Sequence, residues 1–191
     1  MRIIAGEYRG RIIDMPKGAS VRPTQDRVRE AIFNIIRVSV PGSSVLDLYA
    51  GSGAFGLEAI SRGAHMVVFI DNNIKCIKTI KANLSGIGIG PGSSQVFKRE
   101  AASAIEKLES SGQKFDIAFL DPPYYKELAK NSLLKIEACD ILSGRGFVIA
   151  EHFKTDEMPE KAGRLGLFEA KRYGDTVISF YKRYEAISLK P

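Results

Sequence analysis

Short apolar runs alternate with segments of helical period along most of the 191-residue chain. Five apolar runs have the length of buried strands, namely Ser44–Tyr49, Met66–Ile70, Gln95–Lys98, Phe115–Leu120 and Gly146–Ala150. The segments between them have the spacing and length of helices, namely Ala54–Ser61, Asn73–Leu84, Ala101–Leu108 and Lys126–Cys139. Strands that alternate with helices predict an α/β fold, a doubly wound Rossmann-like sheet of five parallel strands.

The two ends of the chain depart from this alternation. Leu167–Tyr173 and Thr176–Arg183 flank a two-residue Gly-Asp turn, which predicts a C-terminal antiparallel hairpin added to the sheet. Arg2–Ala5 and Arg11–Met15 surround a turn with two glycines and predict a small N-terminal β-hairpin. We therefore expect a hairpin extension over residues 1–20, with the main domain covering positions 21–191.

Basic residues are concentrated at the same two ends. Of the net charge of +6, residues 1–37 contribute +4, residues 161–191 contribute another +4 and residues 38–160 contribute −2. A near-neutral centre between two basic ends favours a polyanionic partner such as nucleic acid. A mildly basic surface that serves solubility alone is the alternative.

Several classes of protein are disfavoured by the sequence. No apolar run approaches the ~20 residues that cross a bilayer, and the N-terminus is too charged for a signal peptide. Cys76 and Cys139 lie far apart, and His65 and His152 are equally isolated. This spacing predicts free thiols and no metal site. We expect a cytoplasmic monomer that has no contact with membranes.

A glycine-rich loop follows the first predicted strand. Gly51–Gly56 fits the G-x-G-x-x-G pattern, in which glycines turn the chain sharply and let a ligand approach the backbone closely. Asp71 ends the next strand, 20 residues after Gly51, where a carboxylate can accept hydrogen bonds from ribose hydroxyls. A dinucleotide, another nucleoside cofactor and a tight turn without a ligand all fit these features.

Asp47, four residues before Gly51, separates the ligand classes. It would repel the pyrophosphate of a dinucleotide, because nothing in the loop is basic, whereas it would attract a sulfonium and an α-ammonium group. The D-x-x-x-G-x-G pattern resembles motif I of class I S-adenosylmethionine methyltransferases. This resemblance implies S-adenosyl-L-methionine as the cofactor, bound by Asp47, Tyr49, Gly51, Gly53, Asp71, Asn72, Glu100 and Ala101. Glu100 stands where that superfamily usually has an acidic residue, often Asp, that accepts a hydrogen bond from the adenine amine.

The tetrapeptide Asp121-Pro122-Pro123-Tyr124 follows the fourth predicted strand, at the same edge of the sheet as the glycine loop. Its prolines stiffen the loop and remove two donors, which leaves neighbouring carbonyls free to accept. An exocyclic base amine becomes nucleophilic when two acceptors hold its hydrogens, here the Asp121 carboxylate and a proline carbonyl, while Tyr124 stacks on the base. The tetrapeptide resembles motif IV of amino-methyltransferases, so we expect these four residues to be catalytic. A proline turn without chemistry is the alternative.

Three products use this motif: N6-methyladenine in DNA, N2-methylguanine in RNA and a methylated glutamine in protein. Glutamine methylation typically has Asn in the first position, and DNA enzymes usually add a recognition segment for which this chain has no room. Nearly end to end, the chain resembles the bacterial 16S ribosomal RNA guanine-N2 methyltransferases, in MRIIAGEYRG, Arg22–Thr24, Asp26–Asn34, VLDLYAGSGAFGLEAISRGA, FDIAFLDPPY and RYGDTVISFYKR. The resemblance implies methylation of one guanine of 16S ribosomal RNA in an assembled or partly assembled small subunit.

Arginines near the N-terminus are candidates for binding RNA. Phosphate contacts that position the RNA are expected from Arg9, Arg11, Arg22, Arg27 and Arg29. Each could instead be a solvated side chain, and the last three could brace a cofactor lid or pair with neighbouring acids.

Three other functions remain open. A DNA adenine-N6 methyltransferase would use the same tetrapeptide. A nicotinamide-dependent oxidoreductase would use the glycine loop but leaves Asp121–Tyr124 without a role. A non-catalytic RNA-binding module would not need Asp47, Asp71 and Asp121, whose presence argues against it.

Overall fold

Helices and strands alternate along the computed structural model, which describes residues 1–16, 23–123 and 127–184. The helices are α1 (Pro23–Ile35), α2 (Ala54–Ser61), α3 (Ile74–Ile87), α4 (Ala101–Ser110) and α5 (Leu128–Ala138). The strands are β1 (Ser44–Leu48), β2 (Met66–Asp71), β3 (Ser94–Lys98), β4 (Phe115–Leu120), β5 (Leu142–Phe153), β6 (Lys161–Ala162), β7 (Leu165–Tyr173) and β8 (Thr176–Arg183). Within these ranges, no helix combines the length and apolar character needed to cross a membrane.

All eight strands join one sheet in the order β3-β2-β1-β4-β5-β8-β7-β6. Strands β1 to β5 pair in parallel, and β8 and β7 continue the sheet in antiparallel fashion. The predicted five parallel strands with a terminal hairpin are therefore confirmed. The chain winds outward from β1 to β3 and then returns to place β4 on the other side of β1. Ligands of such sheets bind at this reversal, beyond the carboxyl ends of the strands.

Helices cover both faces of the parallel strands, which explains why the strands are apolar throughout. On one face, α1, α2 and α3 bury a first core that includes Phe33, Leu57 and Ile80. On the other face, α4 and α5 bury a second core that includes Ile105 and Leu133. Alternate residues of each strand point into the two cores.

The N-terminal segment, residues 1–16, forms a shorter hairpin than the sequence predicts. An antiparallel bridge joins Arg2 to Ile12, and the N–H groups of Ile3 and Ile13 donate across it to the carbonyl oxygens of Arg11 (3.0 Å) and Met1 (2.9 Å). Beyond this pairing, the fully buried carboxylate of Glu58 in α2 accepts hydrogen bonds from the backbone N–H groups of Ile4 (2.8 Å) and Ala5 (3.1 Å). The end of the first predicted strand is therefore held by a side chain of α2.

The N-terminal segment packs on the same first core as the sheet. Ile3 and Ile13 are buried in that core, and the N–H of Asp14 donates to Asn83 Oδ1 of α3 at 2.8 Å. Glu58 also accepts from Arg62 Nε at 2.7 Å, so one buried carboxylate holds both the segment and the end of its own helix. We call this set of contacts the Glu58 latch.

Two features of the C-terminal half were not predicted. Strand β5 is longer than the expected Gly146–Ala150, and β6 is a short strand of two residues. Glycines interrupt the apolar pattern at the start of β5 and conceal its first residues. Gly146 is required there, because a Cβ atom would lie 2.7 Å from the carbonyl oxygen of Phe115.

Candidate active site

Four residues lie in one row at the carboxyl edge of the parallel strands. Across β2, β1, β4 and β5 the register partners are Ile70, Leu48, Leu120 and Ala150. The next residue on each strand forms what we call the carboxyl-edge row, which consists of Asp71, Tyr49, Asp121 and Glu151. Leu120 and Ala150 face the second core, so strand alternation directs Asp121 and Glu151 to the opposite face, where α1 and the N-terminal segment lie.

A cavity of about 430 Å³ opens at this edge. Its lining combines residues of the glycine loop with residues of α1, the carboxyl-edge row and the β7–β8 turn, among them Val28, Gly51, Phe55, Asp121, Glu151 and Tyr173. The volume is in the range of ligand-binding pockets. The structure thus brings the two motifs that were singled out in the sequence into one cavity.

The glycine loop has the backbone that its sequence predicts. Gly51 and Gly53 have φ angles of 56° and 80°, in the left-handed region that favours glycine. The N–H of Gly51 donates to Asp71 Oδ2 at 2.9 Å, which ties the loop to the end of β2. Gly56, in the first turn of α2, allows the helix to pack against the ring of Phe69, which an added Cβ atom would overlap.

Asp47 lies beneath the glycine loop. It is only 2% exposed, and its Oδ2 accepts a hydrogen bond from the N–H of Gly56 at 2.9 Å. Burial raises the pKa of Asp47 to about 8, and the nearby charge of Asp71 acts in the same direction. The Asp47 carboxyl group therefore holds the glycine loop directly through this hydrogen bond. It lies below the cavity, so it would act on a bound cation through its charge.

The electrostatics of the cavity favour a cation. Burial and the neighbouring carboxylates of Glu151 and Asp47 hold the pKa of Asp121 well above its usual range. A positive ligand would stabilise these ionised carboxylates, whereas a pyrophosphate would be repelled. Within the described residues, no three His, Cys, Asp or Glu side chains form a group that could hold a metal ion. These carboxylates suit an organic cation such as the sulfonium of S-adenosylmethionine better than the pyrophosphate of a dinucleotide.

The other expected cofactor residues surround the glycine loop. Tyr49 has a φ angle of 66°, and its hydroxyl lies 2.8 Å from Ser132 Oγ of α5. Asp71 Oδ1 accepts from the N–H of Asn73 at 2.8 Å, while Asn72 is exposed. These contacts fix the ends of β1 and β2 beside the loop.

Glu100 and Ala101 lie at the end of β3, where helix α4 starts. Glu100 Oε2 accepts from the N–H of Ser103 at 3.1 Å and so caps the helix, while Ala101 is buried against the sheet. The Glu100 side chain is exposed, and its charge raises the pKa of Tyr49, though less than burial does. Glu100 therefore has a structural role in addition to the expected contact with adenine.

The Asp-Pro-Pro sequence separates two cavities. Asp121 lines the first cavity, while Pro122 and Pro123 line a second one of about 350 Å³ on the α5 side. Glu151 lines both. Tyr124, the fourth expected catalytic residue, lies outside the described residues.

The candidate RNA-binding arginines fall into two groups. Arg9 and Arg11 are exposed on the N-terminal segment, and Arg27 is exposed on α1. Met1 and Met15 line the first cavity, whereas the turn that carries Arg9 packs at the far end of α2, where the N–H of Tyr8 donates to Ser61 Oγ at 3.0 Å. Arg22 lies outside the described residues.

Arg29, which also lines the first cavity, has the alternative role that its sequence position left open, pairing with a neighbouring acid, and it is not an exposed cation. Its side chain is only 2% exposed, and its guanidinium donates to the carbonyl oxygen of Arg2 at 2.6 Å. It also pairs with Asp26 at 3.2 Å and with Glu58 at 3.8 Å. Burial lowers the pKa of Arg29, and these two carboxylates oppose that shift. Arg29 is therefore an internal brace between α1, α2 and the N-terminal segment.

Comparisons with known proteins show the family of the chain. The family model described as "Conserved hypothetical protein 95" matches residues 1–182. The Bacillus subtilis protein YlbH is 38% identical over 183 residues, which cover 96% of this chain and 99% of YlbH. "Ribosomal RNA small subunit methyltransferase D" of Escherichia coli is 31% identical over 183 residues, which cover 96% of this chain and 90% of that protein. The chain belongs to this ribosomal RNA methyltransferase family.

A solved structure extends the family likeness to three dimensions. The Escherichia coli protein yhhF superposes with a TM-score of 0.81 at 30% identity, covering 96% of this chain and 97% of yhhF. The class I methyltransferase fold and the family resemblance, both predicted from the sequence, are thereby confirmed.

One acidic residue of the site was missed in the sequence. Glu151 directly follows the fifth predicted strand, as Asp71 and Asp121 follow the second and the fourth. The repeated placement of an acid after an apolar run was the available signal. Whether the acid after the fifth strand belongs to the site depends on β5 lying next to β4, and only the topology of the sheet shows this.

Proposed function

We propose that this member of the family transfers the methyl group of S-adenosylmethionine to the exocyclic N2 amine of a guanine in 16S ribosomal RNA. S-adenosylmethionine-dependent methylation of small-subunit ribosomal RNA is the function of the family, and the guanine N2 atom is the further step that we add. The observation that supports it most is the position of Asp121, which stands beside the glycine-loop strand in a cavity rich in carboxylates.

The residues at the carboxyl edge fit the cofactor. When bound, S-adenosylmethionine supplies an electrophilic methyl carbon attached to a positively charged sulfur. Gly51 and Gly53 would allow the chain to approach it closely, Asp71 would accept from the ribose hydroxyls and Glu100 from the adenine amine. The carboxylate of Asp47 favours the positive charge from below the loop.

Asp121 and the two prolines would prepare the acceptor amine. The Asp121 carboxylate accepts from one N–H of the amine, and the carbonyl of Pro122 or Pro123 accepts from the other. The nitrogen lone pair is thereby withdrawn from the ring and directed at the methyl carbon, so that catalysis rests on orientation. As the N–C bond forms and the C–S bond breaks, the nitrogen becomes positive. Asp121 stabilises that charge and accepts the released proton, for which its raised pKa is suited.

The surface around the cavity supports an RNA partner. Exposed Arg27, which precedes Val28 of the cavity lining, and exposed Arg9 and Arg11 on the N-terminal segment would supply phosphate contacts. We propose that the protein acts in the cytoplasm as a monomer, on an assembled or partly assembled small subunit whose shape presents the target base.

The base and atom can be identified directly. The protein is incubated with labelled S-adenosylmethionine and small subunits that lack the modification, and the label is located by nuclease digestion and mass spectrometry. We expect N2-methylguanosine at one position of 16S ribosomal RNA. Label on adenine or on a ribosomal protein would contradict the proposal.

Replacement of Asp121 by Asn tests the mechanism. Asp121→Asn keeps the shape of the side chain but removes its charge and its ability to take a proton, so the single-turnover rate should fall by about 10²–10³-fold. Affinity for small subunits, measured by filter binding, should change little, and calorimetry should show that the cofactor still binds, with the weaker pH dependence that follows from losing one ionisable carboxyl group. The matched control is Glu157→Gln, which removes an exposed carboxylate that does not line the first cavity. A full rate in an Asp121→Asn variant that still binds both ligands would refute the mechanism.

A further inference from the structure

Glu151 is the neighbour of Asp121 in the sheet. Leu120 and Ala150 are register partners on parallel strands, so the two acids that follow them start about 4.8 Å apart and point to the same face. Both line the first cavity, and Glu151 is half-buried. The site therefore presents two adjacent carboxylates, although the activation of an amine by the Asp-Pro-Pro sequence needs only one of them.

The position of Glu151 relative to the glycine loop assigns it to the substrate side. In the carboxyl-edge row, Tyr49 leads into the loop, Asp121 comes next and Glu151 is one strand farther. Two strand spacings place Glu151 about 10 Å from the loop strand. Its neighbours in the cavity include Tyr173 and Thr176 at the β7–β8 turn. A base held by Asp121 would extend in this direction.

Guanine has the hydrogen-bonding edge that fits two carboxylates. Its N1–H and its N2 amine lie side by side and present only donors, whereas an ionised carboxylate only accepts. Adenine presents the unprotonated N1 beside its N6 amine, so a carboxylate at the same place would face a lone pair. A site built in this way selects one base by attraction and rejects the other by repulsion.

We infer that Glu151 determines base specificity by accepting a hydrogen bond from the N1–H of the target guanine, while Asp121 and a proline carbonyl hold its N2 amine. This inference rests on the proposed function, since it assigns the residue that makes guanine the acceptor. Burial, and after it the charges of Glu151 and Asp47, raise the pKa of Asp121, and donors of guanine placed between the carboxylates would reduce their mutual repulsion.

The test uses 2-aminopurine, which keeps the amine at C2 but has no hydrogen at N1. Small subunits are reconstituted with guanine or 2-aminopurine at the mapped position, and single-turnover rates of methyl transfer are compared. Wild-type protein should prefer guanine by about 10- to 100-fold, the range for removal of a hydrogen bond to a charged group. Glu151→Ala should methylate guanine at about the rate of 2-aminopurine, so that the preference disappears.

Two further variants separate specificity from general damage. Glu151→Gln keeps an oxygen that accepts a hydrogen bond but loses the charge, so its preference for guanine over 2-aminopurine should be intermediate. If Glu151→Ala does not fold, Glu151→Gln decides the test. Glu157→Gln should keep the wild-type preference. Cofactor affinity, measured by calorimetry with S-adenosylhomocysteine, should be the same for all variants that fold.

The outcomes distinguish the inference from the proposed function. If wild-type protein methylates guanine and the Glu151 variants keep its preference over 2-aminopurine, the inference is wrong and the proposed function stands. Weaker cofactor binding in the Glu151 variants, with an unchanged preference, would also overturn the inference and assign Glu151 to the cofactor. Absence of methylated guanine with wild-type protein would instead reject the proposed function.

Discussion

At the scale of single residues, the carboxyl group of Asp47 is buried against the glycine loop with a pKa of about 8. At neutral pH and without a ligand it is mainly protonated. A cation in the cavity favours the ionised form, so cofactor binding is linked to the release of a proton. Asp121, whose pKa is raised mainly by burial, acts in the same direction.

This linkage predicts how cofactor affinity depends on pH. Because the cation favours the ionised carboxylates, affinity for S-adenosylmethionine should rise from about pH 6 to about pH 8, by up to about tenfold per pH unit for each proton released, and the contribution of Asp47 should level off above that. Calorimetry in buffers with different ionisation enthalpies counts the protons. Asp47→Asn should remove part of the dependence and Asp121→Asn another part. An affinity that does not change with pH in the wild-type protein would contradict this interpretation.

Arg29 and Glu151 show which residue roles the sequence could not predict. The pairing of Arg29 with the nearby Asp26 was one of the alternatives, but its contacts with Glu58 and with the carbonyl oxygen of Arg2 join parts that are distant in sequence. Glu151 looked like an ordinary acid at a strand end until β5 was seen beside β4. In contrast, Gly51, Asp71 and Asp121 were recognisable, because motifs that are local in sequence carry them.

At the scale of elements, the contact between α2 and β2 depends on the absence of a side chain. Gly56 packs against the ring of Phe69, and its N–H is the donor to Asp47. A side chain at this position would move the first turn of α2 and, with it, the glycine loop.

Two glycine substitutions test this packing. Gly56→Ala should destabilise the protein by about 1–3 kcal/mol, the range for overpacking, even though alanine favours helices. Gly86→Ala is the matched control, because Gly86 is also helical but an added Cβ atom meets nothing within 4 Å. It should stabilise by about 0.5–1 kcal/mol through helix propensity alone. Urea unfolding measures the change in stability for both variants. Stabilisation by Gly56→Ala would contradict the expected overlap with the ring of Phe69.

Most elements were predictable from periodicity, and the exceptions have identifiable physical causes. Apolar residues are buried in each of the strands β1 to β4 and the helices α2 to α5, and the spacing of these residues along the sequence predicts the elements. The hairpin expected in the N-terminal segment is shorter than predicted, and beyond Ile3 the backbone donors of Ile4 and Ala5 bond to Glu58, far along the chain. The first residues of β5 escape detection because Gly144 and Gly146 interrupt the pattern.

At the scale of the whole molecule, charge is divided between the surface and the site. The N-terminal part of the chain contributes exposed arginines, while the central part supplies Asp121 and Glu151 inside the cavity. The exposed arginines would thereby attract RNA, and the carboxylates of the cavity would attract the cationic cofactor. The composition predicted a polyanionic partner, but the position of the acids required the topology.

The exposed arginines should control the salt dependence of RNA binding. Replacing Arg9, Arg11 or Arg27 by Ala should weaken binding to small subunits and reduce the slope of log affinity against log salt by about one for each phosphate that is no longer neutralised. Arg145→Ala is the control, since Arg145 is exposed at the start of β5, on the edge of the sheet opposite the cavity. Filter binding over a range of salt concentrations measures the slope. An equal effect of Arg145→Ala would indicate that no defined surface is involved.

The Glu58 latch has a consequence for engineering the protein. Its carboxylate belongs to α2, the helix that starts at the glycine loop, while its hydrogen-bond donors belong to the segment that carries Arg9 and Arg11. The segment is therefore not an exchangeable module, although it lies at the end of the chain. A chimera that transfers residues 1–16 to another methyltransferase must transfer Glu58 as well, together with Ser61, which accepts from the N–H of Tyr8 at 3.0 Å. A library that varies the segment to retarget the enzyme should keep both residues fixed.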